Sequence, residues 1–216
     1  MTERDPSTKW QSEAVATSYR GERFSSPRAA GRDGELVDRL LARHAPRRRF
    51  ARVLDVPSGT GRLAPAARGH GERYVGVDVS PAMLGQAQRT GAQGSAMSWI
   101  AADGARLPFA PDSFDLVLCC RLLHHLDGAQ VIAVARELAR VGSDLVLASF
   151  WDAGSFQGWR RRAGLRRDPE GRRPTSRASI EDAFDRAGAE VLGFAGSARY
   201  WSMQTFVAAR VHGAAR

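Results

Sequence analysis

The sequence predicts an α/β fold built on a largely parallel sheet, and two observations carry that expectation. Apolar strand-like runs alternate with helical patterns along the chain, which is the order of βαβ units. Some of these runs, "FDLVLCC" above all, are continuously hydrophobic, as strands covered on both faces are. A chain of 216 residues with 43% hydrophobic content can bury one sizeable core, so one domain with short appendages is expected.

The elements follow in order. "ARVLDV" is the first strand and "RLAPAARG", after a glycine turn, the first helix of the sheet. "YVGVD" is the second strand. In "SPAMLGQAQRTG" Ser80 can cap the next helix, Pro81 suits its first turn and Gly91 ends it. "SWIA" leads to Asp103, and "FDLVLCC" forms the fourth strand. Asp127 opens the helix "GAQVIAVARELARV", Gly142 stops it, and "DLVLASF" is the fifth strand. A short helix near "SIEDAFDRAG" precedes two closing strands, "AEVLGFAG" and "YWSMQTFVAARV". Residues 1–45 read as an N-terminal helical cap segment, loose over the first dozen residues. Residues 46–216 form the main domain, with an arginine-rich insertion near 151–178.

Composition narrows the function classes. No run reaches the roughly 18 apolar residues needed to span a bilayer, and "MTERDPSTKWQ" has no apolar signal core, so a cytoplasmic protein without membrane contact is expected. Cys119 and Cys120, the only cysteines, sit inside an apolar run and suit buried thiols rather than a disulfide framework or a metal site. The formal charge of +9 is almost all arginine, since Lys9 is the only lysine. Such a charge reports non-specific attraction rather than fold. More informative is the local cluster "WRRRAGLRRDPEGRRPTSR" from Trp159 to Arg177.

The turn "DVPSGTGR" places Gly59 and Gly61 directly after the first strand, where backbone amides and a helix N-terminus can approach a polar ligand. "GTGRLA" satisfies one form of the dinucleotide fingerprint, so a nicotinamide cofactor is one reading. Asp55 favours another, because a carboxylate there repels a diphosphate and attracts an ammonium group. Asp78, ending the second strand, has two oxygens for the hydroxyls of a ribose. Asp103, after the third, can take the exocyclic amine of an adenine while the Gly104 amide faces a ring nitrogen. The plainer reading is that each aspartate caps a helix or turn.

With these motifs in their order, the segment from about Arg52 to Phe150 resembles the class I S-adenosylmethionine-dependent methyltransferases of the small-molecule type. The resemblance is carried by "VLDVPSGTGRL", "GVDVSPAML", "ADGARLPFAPDSFDLVLCCRLLHHL" and "ASF". It implies a Rossmann-like fold: a seven-stranded, mostly parallel sheet with an antiparallel last strand and helices on both faces. It also implies S-adenosyl-L-methionine as cofactor. Asp55, Ser58, Gly59, Thr60 and Gly61 would surround the methionine part, Asp78 the ribose, and Asp103 with Gly104 the adenine, with Val79 and Met83 packed on the adenosine. Pro57 departs from the family's usual glycine; its fixed φ and missing amide exclude both positive φ and a donated hydrogen bond.

Methyl transfer from a sulfonium depends on in-line placement and exclusion of water more than on an acid or metal. His124 and His125 follow the fourth strand at the expected edge of the active site, and either could take a proton from the nucleophile, or both could simply pack the next helix. Substrate choice is expected to lie in "SYRGERFSSPRAAGR" and beyond Phe150, where Trp151, Phe156 and Trp159 accompany arginines able to grip carboxylate or phosphate. A small acceptor, anionic or aromatic, is the first expectation. An RNA methyltransferase using the arginines on phosphates, and a non-catalytic cofactor-binding partner protein, are the alternatives.

Overall fold

The structure, a computed structural model, describes residues 27–89, 96–165, 171–196 and 203–212. Several expectations fall outside those residues: the stretch before Pro27, the helix end at Gly91, the part of the arginine cluster from 166 to 170, and the start of the last strand at Tyr200 to Ser202.

Seven strands form one sheet: β1 (Phe50–Asp55), β2 (Gly71–Asp78), β3 (Met97–Ala101), β4 (Phe114–Cys119), β5 (Gly142–Trp151), β6 (Ala189–Gly196) and β7 (Gln204–Val211). Their order is β3-β2-β1-β4-β5-β7-β6. The pairs from β3 through β5 are parallel, whereas β7 runs antiparallel to both β5 and β6, as the resemblance implied. The helices are α1 (Pro27–His44), α2 (Ala64–His70), α3 (Pro81–Arg89), α4 (Gly128–Val141), α5 (Phe156–Arg162) and α6 (Arg177–Asp185).

Period-2 alternation along strands buried on both faces divides the core into two layers. On one face Leu54, Val117, Val146, Phe150 and Val207 pack with Val131, Val134 and Leu138 of α4 and with Ile180 and Phe184 of α6. On the other, Val53, Leu116, Leu118, Leu145 and Phe206 pack with Leu36, Val37, Leu40 and Leu41 of α1 and with Ala64 and Ala67 of α2. The spacing Leu36, Val37, Leu40, Leu41 is one helical stripe, so α1 is docked on the sheet by its apolar face. Each such leucine is worth roughly 1.5–3 kcal/mol of burial.

Element ends follow local chemistry. Asp127 caps α4 by accepting from the Gln130 amide at 2.9 Å, and the Gln130 side chain accepts from the Asp127 amide at 3.0 Å, a complete capping box. Ser80 Oγ accepts from the Met83 amide at 3.3 Å, which opens α3 as expected. Gly142 both ends α4 and begins β5. β2 starts at Gly71 rather than Tyr74, because Gly71 pairs with Phe50 and the exposed Arg73 with Arg52 of β1.

Candidate cofactor and acceptor site

The sheet reverses its order between β1 and β4, and the carboxyl ends of the strands at that point border a cavity of about 410 Å³. β1 delivers Asp55 to it, β2 delivers Asp78, and the loop after β3 brings Asp103 and Gly104. Farther along that loop, Leu107 donates to Glu137 Oε2 at 2.8 Å, and Arg140 donates to the Phe109 carbonyl at 2.8 Å, anchoring it to α4. Ser58, Gly59, Thr60, Val79 and Met83 complete one side; Arg121, His124 and His125 line the cavity after β4. Of the residues singled out for the cofactor and of the two histidines, Gly61 alone is not in the lining; Trp151, Phe156 and Trp159, expected to serve substrate choice, are not in it either.

The glycine turn has a backbone that side chains rarely adopt. Gly59 has φ 54° and Gly61 φ 74°, and the Gly61 amide donates back to the Ser58 carbonyl at 3.0 Å, so it tightens the turn instead of facing the cavity. Pro57, preceded by a cis peptide bond, lines the cavity without an amide to offer.

Asp55 is buried, and Tyr74 donates its hydroxyl to Oδ2 at 2.7 Å. Its Oδ1 is buried with no hydrogen-bond partner among the described residues, and so is Ser58 Oγ. Burial pushes the Asp55 carboxyl up to about 7; the Tyr74 hydrogen bond and the Arg62 charge act in the opposite sense, and Asp78 adds to the rise. Asp78 accepts from the Gly59 amide at 2.8 Å through Oδ2 and from the Ser80 amide at 2.9 Å through Oδ1, thereby holding the turn against α3. Burial raises its carboxyl above the ordinary value, partly offset by these amides. Asp103 is exposed, and its Oδ1 accepts from the Ala105 amide at 2.9 Å.

A charge cluster that sequence reading missed adjoins this site. Asp33 of α1, only 1% exposed, receives Arg62 at 2.8 Å and Arg121 at 2.7 Å on the same Oδ2. Burial raises the Asp33 carboxyl, but Arg121 and Arg62 outweigh it and hold the group below its ordinary value. Both arginines line the cavity. Arg121 has φ 66°, a left-handed backbone uncommon outside glycine, and its amide donates to Ser149 Oγ at 2.8 Å. Cys119 and Cys120 are buried free thiols; burial pushes Cys120 up to about 12, and it donates to Asp33 at 3.6 Å.

His124 and His125 form a 3₁₀ turn (Leu123–His125) with ring centroids 4.4 Å apart. His124 is buried and stacks on Trp151 at 4.7 Å with 10° between the planes, whereas His125 is partly exposed. Trp151 is itself buried, while Phe156 and Trp159 of α5 are exposed and stack on each other at 6.0 Å. No described helix is long and apolar enough to cross a membrane.

Residues 53–143 match a family described as a methyltransferase domain. The malonyl-[acyl-carrier protein] O-methyltransferase of Enterobacter lignolyticus (strain SCF1) is 41% identical over 81 residues, covering 38% of this chain and 31% of that protein. The demethylmenaquinone methyltransferase of Thermobifida fusca (strain YX) is 34% identical over 103 residues, covering 45% of this chain and 43% of that protein. The matches thus span less than half the length of these curated relatives. Among solved structures, the PH0226 protein of Pyrococcus horikoshii OT3 superposes with a TM-score of 0.72 at 18% identity over 93% of this chain and 99% of that one. The magnesium protoporphyrin IX methyltransferase of Synechocystis PCC 6803, solved with bound SAH, gives 0.68 at 18% over 92% and 98%. Residues 53–143 thus carry a methyltransferase-domain match, and the seven-stranded sheet with its antiparallel β7 shares the fold of these two solved structures.

Proposed function

We propose that the cavity binds S-adenosylmethionine and that the protein transfers its methyl group to a small-molecule acceptor. The observation that carries this reading is the pair of buried, unpartnered oxygens, Asp55 Oδ1 and Ser58 Oγ, at a glycine turn. An ammonium group placed there satisfies the carboxylate, whereas a diphosphate meets like charge. When bound, the cofactor supplies a methyl group already activated on a positively charged sulfur.

The residues of the chain then have distinct tasks. Asp55 and Ser58 hold the amino-acid moiety. Asp78, with both oxygens already oriented by backbone amides, takes the ribose hydroxyls on its remaining lone pairs. Asp103 and Gly104 meet the adenine, and Val79 and Met83 cover it. Of the two histidines, His125 is the one proposed to take the acceptor's proton, since His124 is buried against Trp151. The named relatives are methyltransferases of malonyl-[acyl-carrier protein], demethylmenaquinone and magnesium protoporphyrin IX, and this supports a small acceptor over a polynucleotide.

Titration calorimetry with S-adenosylhomocysteine and with NAD tests the reading. Saturable binding of the first and none of the second is expected; the reverse pattern overturns it.

A further inference from the structure

Asp55, Gly76 and Trp99 lie side by side on β1, β2 and β3: Asp55 is in register with Gly76, and Gly76 with Trp99. Neighbours in such a row point to the same face of the sheet, so the middle strand puts no side chain between the carboxylate and the indole. A glycine inside a strand marks a place where another group comes close. Here a Cβ on Gly76 would fall 2.5 Å from Cε3 and Cζ3 of the Trp99 ring and 3.1 Å from Ser58 Cβ. Both distances are shorter than the roughly 3.5–4.0 Å of an ordinary carbon–carbon contact. The Trp99 ring and the Ser58 side chain therefore share the space that a larger residue at 76 would take.

Trp99 has a second neighbour belonging to the same site. Its ring stands edge-on to that of Tyr74, with centroids 5.5 Å apart and 63° between the planes. Tyr74 is the donor to Asp55 Oδ2 at 2.7 Å. The Ser58 amide donates to the Val77 carbonyl at 2.8 Å, while Ser58 Oγ and Asp55 Oδ1 are the buried oxygens on which the proposed cofactor site turns. One indole thus lies beside Tyr74 and Ser58 together. Trp99 is half-buried on the edge strand β3 and does not line the cavity, so it acts only through these neighbours.

We propose that Trp99 is a positioning residue for the ammonium seat: wedged over Gly76, it holds Tyr74 and Ser58 so that Asp55 Oδ1 and Ser58 Oγ face the amino group of the cofactor. This rests on the proposed assignment of Asp55 and Ser58 to the amino-acid moiety. An aromatic edge contact is directional, so a smaller side chain at 99 frees the Tyr74 ring to tilt and opens the notch beside Ser58. The adenosine end, assigned to Asp78, Asp103 and Gly104, uses other side chains.

Calorimetry on the full chain with two ligands tests this. S-adenosylhomocysteine carries the amino-acid moiety, whereas 5′-methylthioadenosine has the same adenine, ribose and thioether without it. The wild type should bind the first more tightly. Trp99→Ala should weaken S-adenosylhomocysteine about fivefold or more and leave 5′-methylthioadenosine within about twofold of wild type. Trp99→Phe, which keeps an aromatic edge, should fall between. Gly76→Ala keeps the indole but pushes it and Ser58 away, so it should show the same selective loss, and it carries the test if Trp99→Ala does not fold. Trp159→Ala, at an exposed position of α5, should change neither ligand. Equal losses for the two ligands, or an S-adenosylhomocysteine affinity indifferent to whichever of these variants folds, overturns the proposal, as does a selective loss of the same size in Trp159→Ala. A wild type that binds S-adenosylhomocysteine no more tightly than 5′-methylthioadenosine overturns the ammonium seat and the proposal with it, and one that binds neither removes the cofactor reading as a whole.

Discussion

Tyr74 donates its hydroxyl to Oδ2 of Asp55 at 2.7 Å and leaves Oδ1 buried and unpartnered at the cavity. The two residues lie on adjacent parallel strands, so the sheet register itself sets this contact. Tyr74→Phe should destabilise the fold by about 1–3 kcal/mol, because a buried carboxylate oxygen loses its donor. It should also weaken S-adenosylhomocysteine binding, since the Asp55 carboxyl then rises further. Urea unfolding and calorimetry read the two effects separately.

Cofactor binding should be linked to protons. With its carboxyl raised to about 7, Asp55 is largely protonated at pH 6 and ionised at pH 8.5. A ligand ammonium favours the ionised form, so binding at pH 6 should release a proton and binding at pH 8.5 should not. Affinity should rise with pH through about 7 and then level. Calorimetry in buffers of different ionisation enthalpy measures the release, and Asp55→Asn should abolish it. The stability effect has the opposite slope: the unfolded chain loses this proton near 3.8 and the folded chain near 7, so the Asp55 contribution falls as pH rises between them.

Asp78→Ala should lower cofactor affinity by roughly 1.5–3 kcal/mol, through lost ribose contacts and a loosened turn. Because Asp78 also receives the Gly59 and Ser80 amides, Asp78→Asn should recover part of the loss, one oxygen remaining as acceptor. Calorimetry on both variants separates turn support from charge.

Asp33→Asn should leave Arg62 and Arg121 without their shared carboxylate and cost about 1–3 kcal/mol, less than a fully buried pair because Arg121 is 30% exposed. In the wild type, the contribution of the depressed Asp33 carboxyl is present above its ordinary pKa and disappears as the solution is acidified below it. Chemical unfolding of both proteins across the acid range should show the difference vanish there.

The protein's formal charge of +9 should draw single-stranded RNA at low salt and release it near physiological ionic strength. Retention there, with a log-log salt slope of about −0.7 for each phosphate contacted, would favour a polynucleotide acceptor.

The strands were legible because continuous apolar runs such as Leu116 to Cys120 have no other place to go than a sheet covered on both faces. The three aspartates were legible because strand ends at a switch point are fixed by topology. Asp33 was not: its partners lie 29 and 88 residues away, and nothing local marks an acidic residue in a helix as buried. Tyr74 looked like any strand aromatic, since its hydroxyl's target lies on the neighbouring strand. Arg172 was one of many arginines in its segment, and nothing local marks it as the one that lines the cavity beside the Trp151 ring.

The position of β7 has a consequence for synthesis. It fills the slot between β5 and β6, and β6 joins the sheet through β7. Once Trp151 leaves the ribosome, roughly 50 more residues must be translated before Gln204 appears, which at 5–20 residues per second is about 3–10 s. Throughout that interval the long apolar β5 presents an unpaired backbone edge, a template for a neighbouring nascent chain. Expression at lower temperature or with a holdase chaperone should therefore raise yield, and a chain cut before β7 should aggregate rather than accumulate as a trimmed domain.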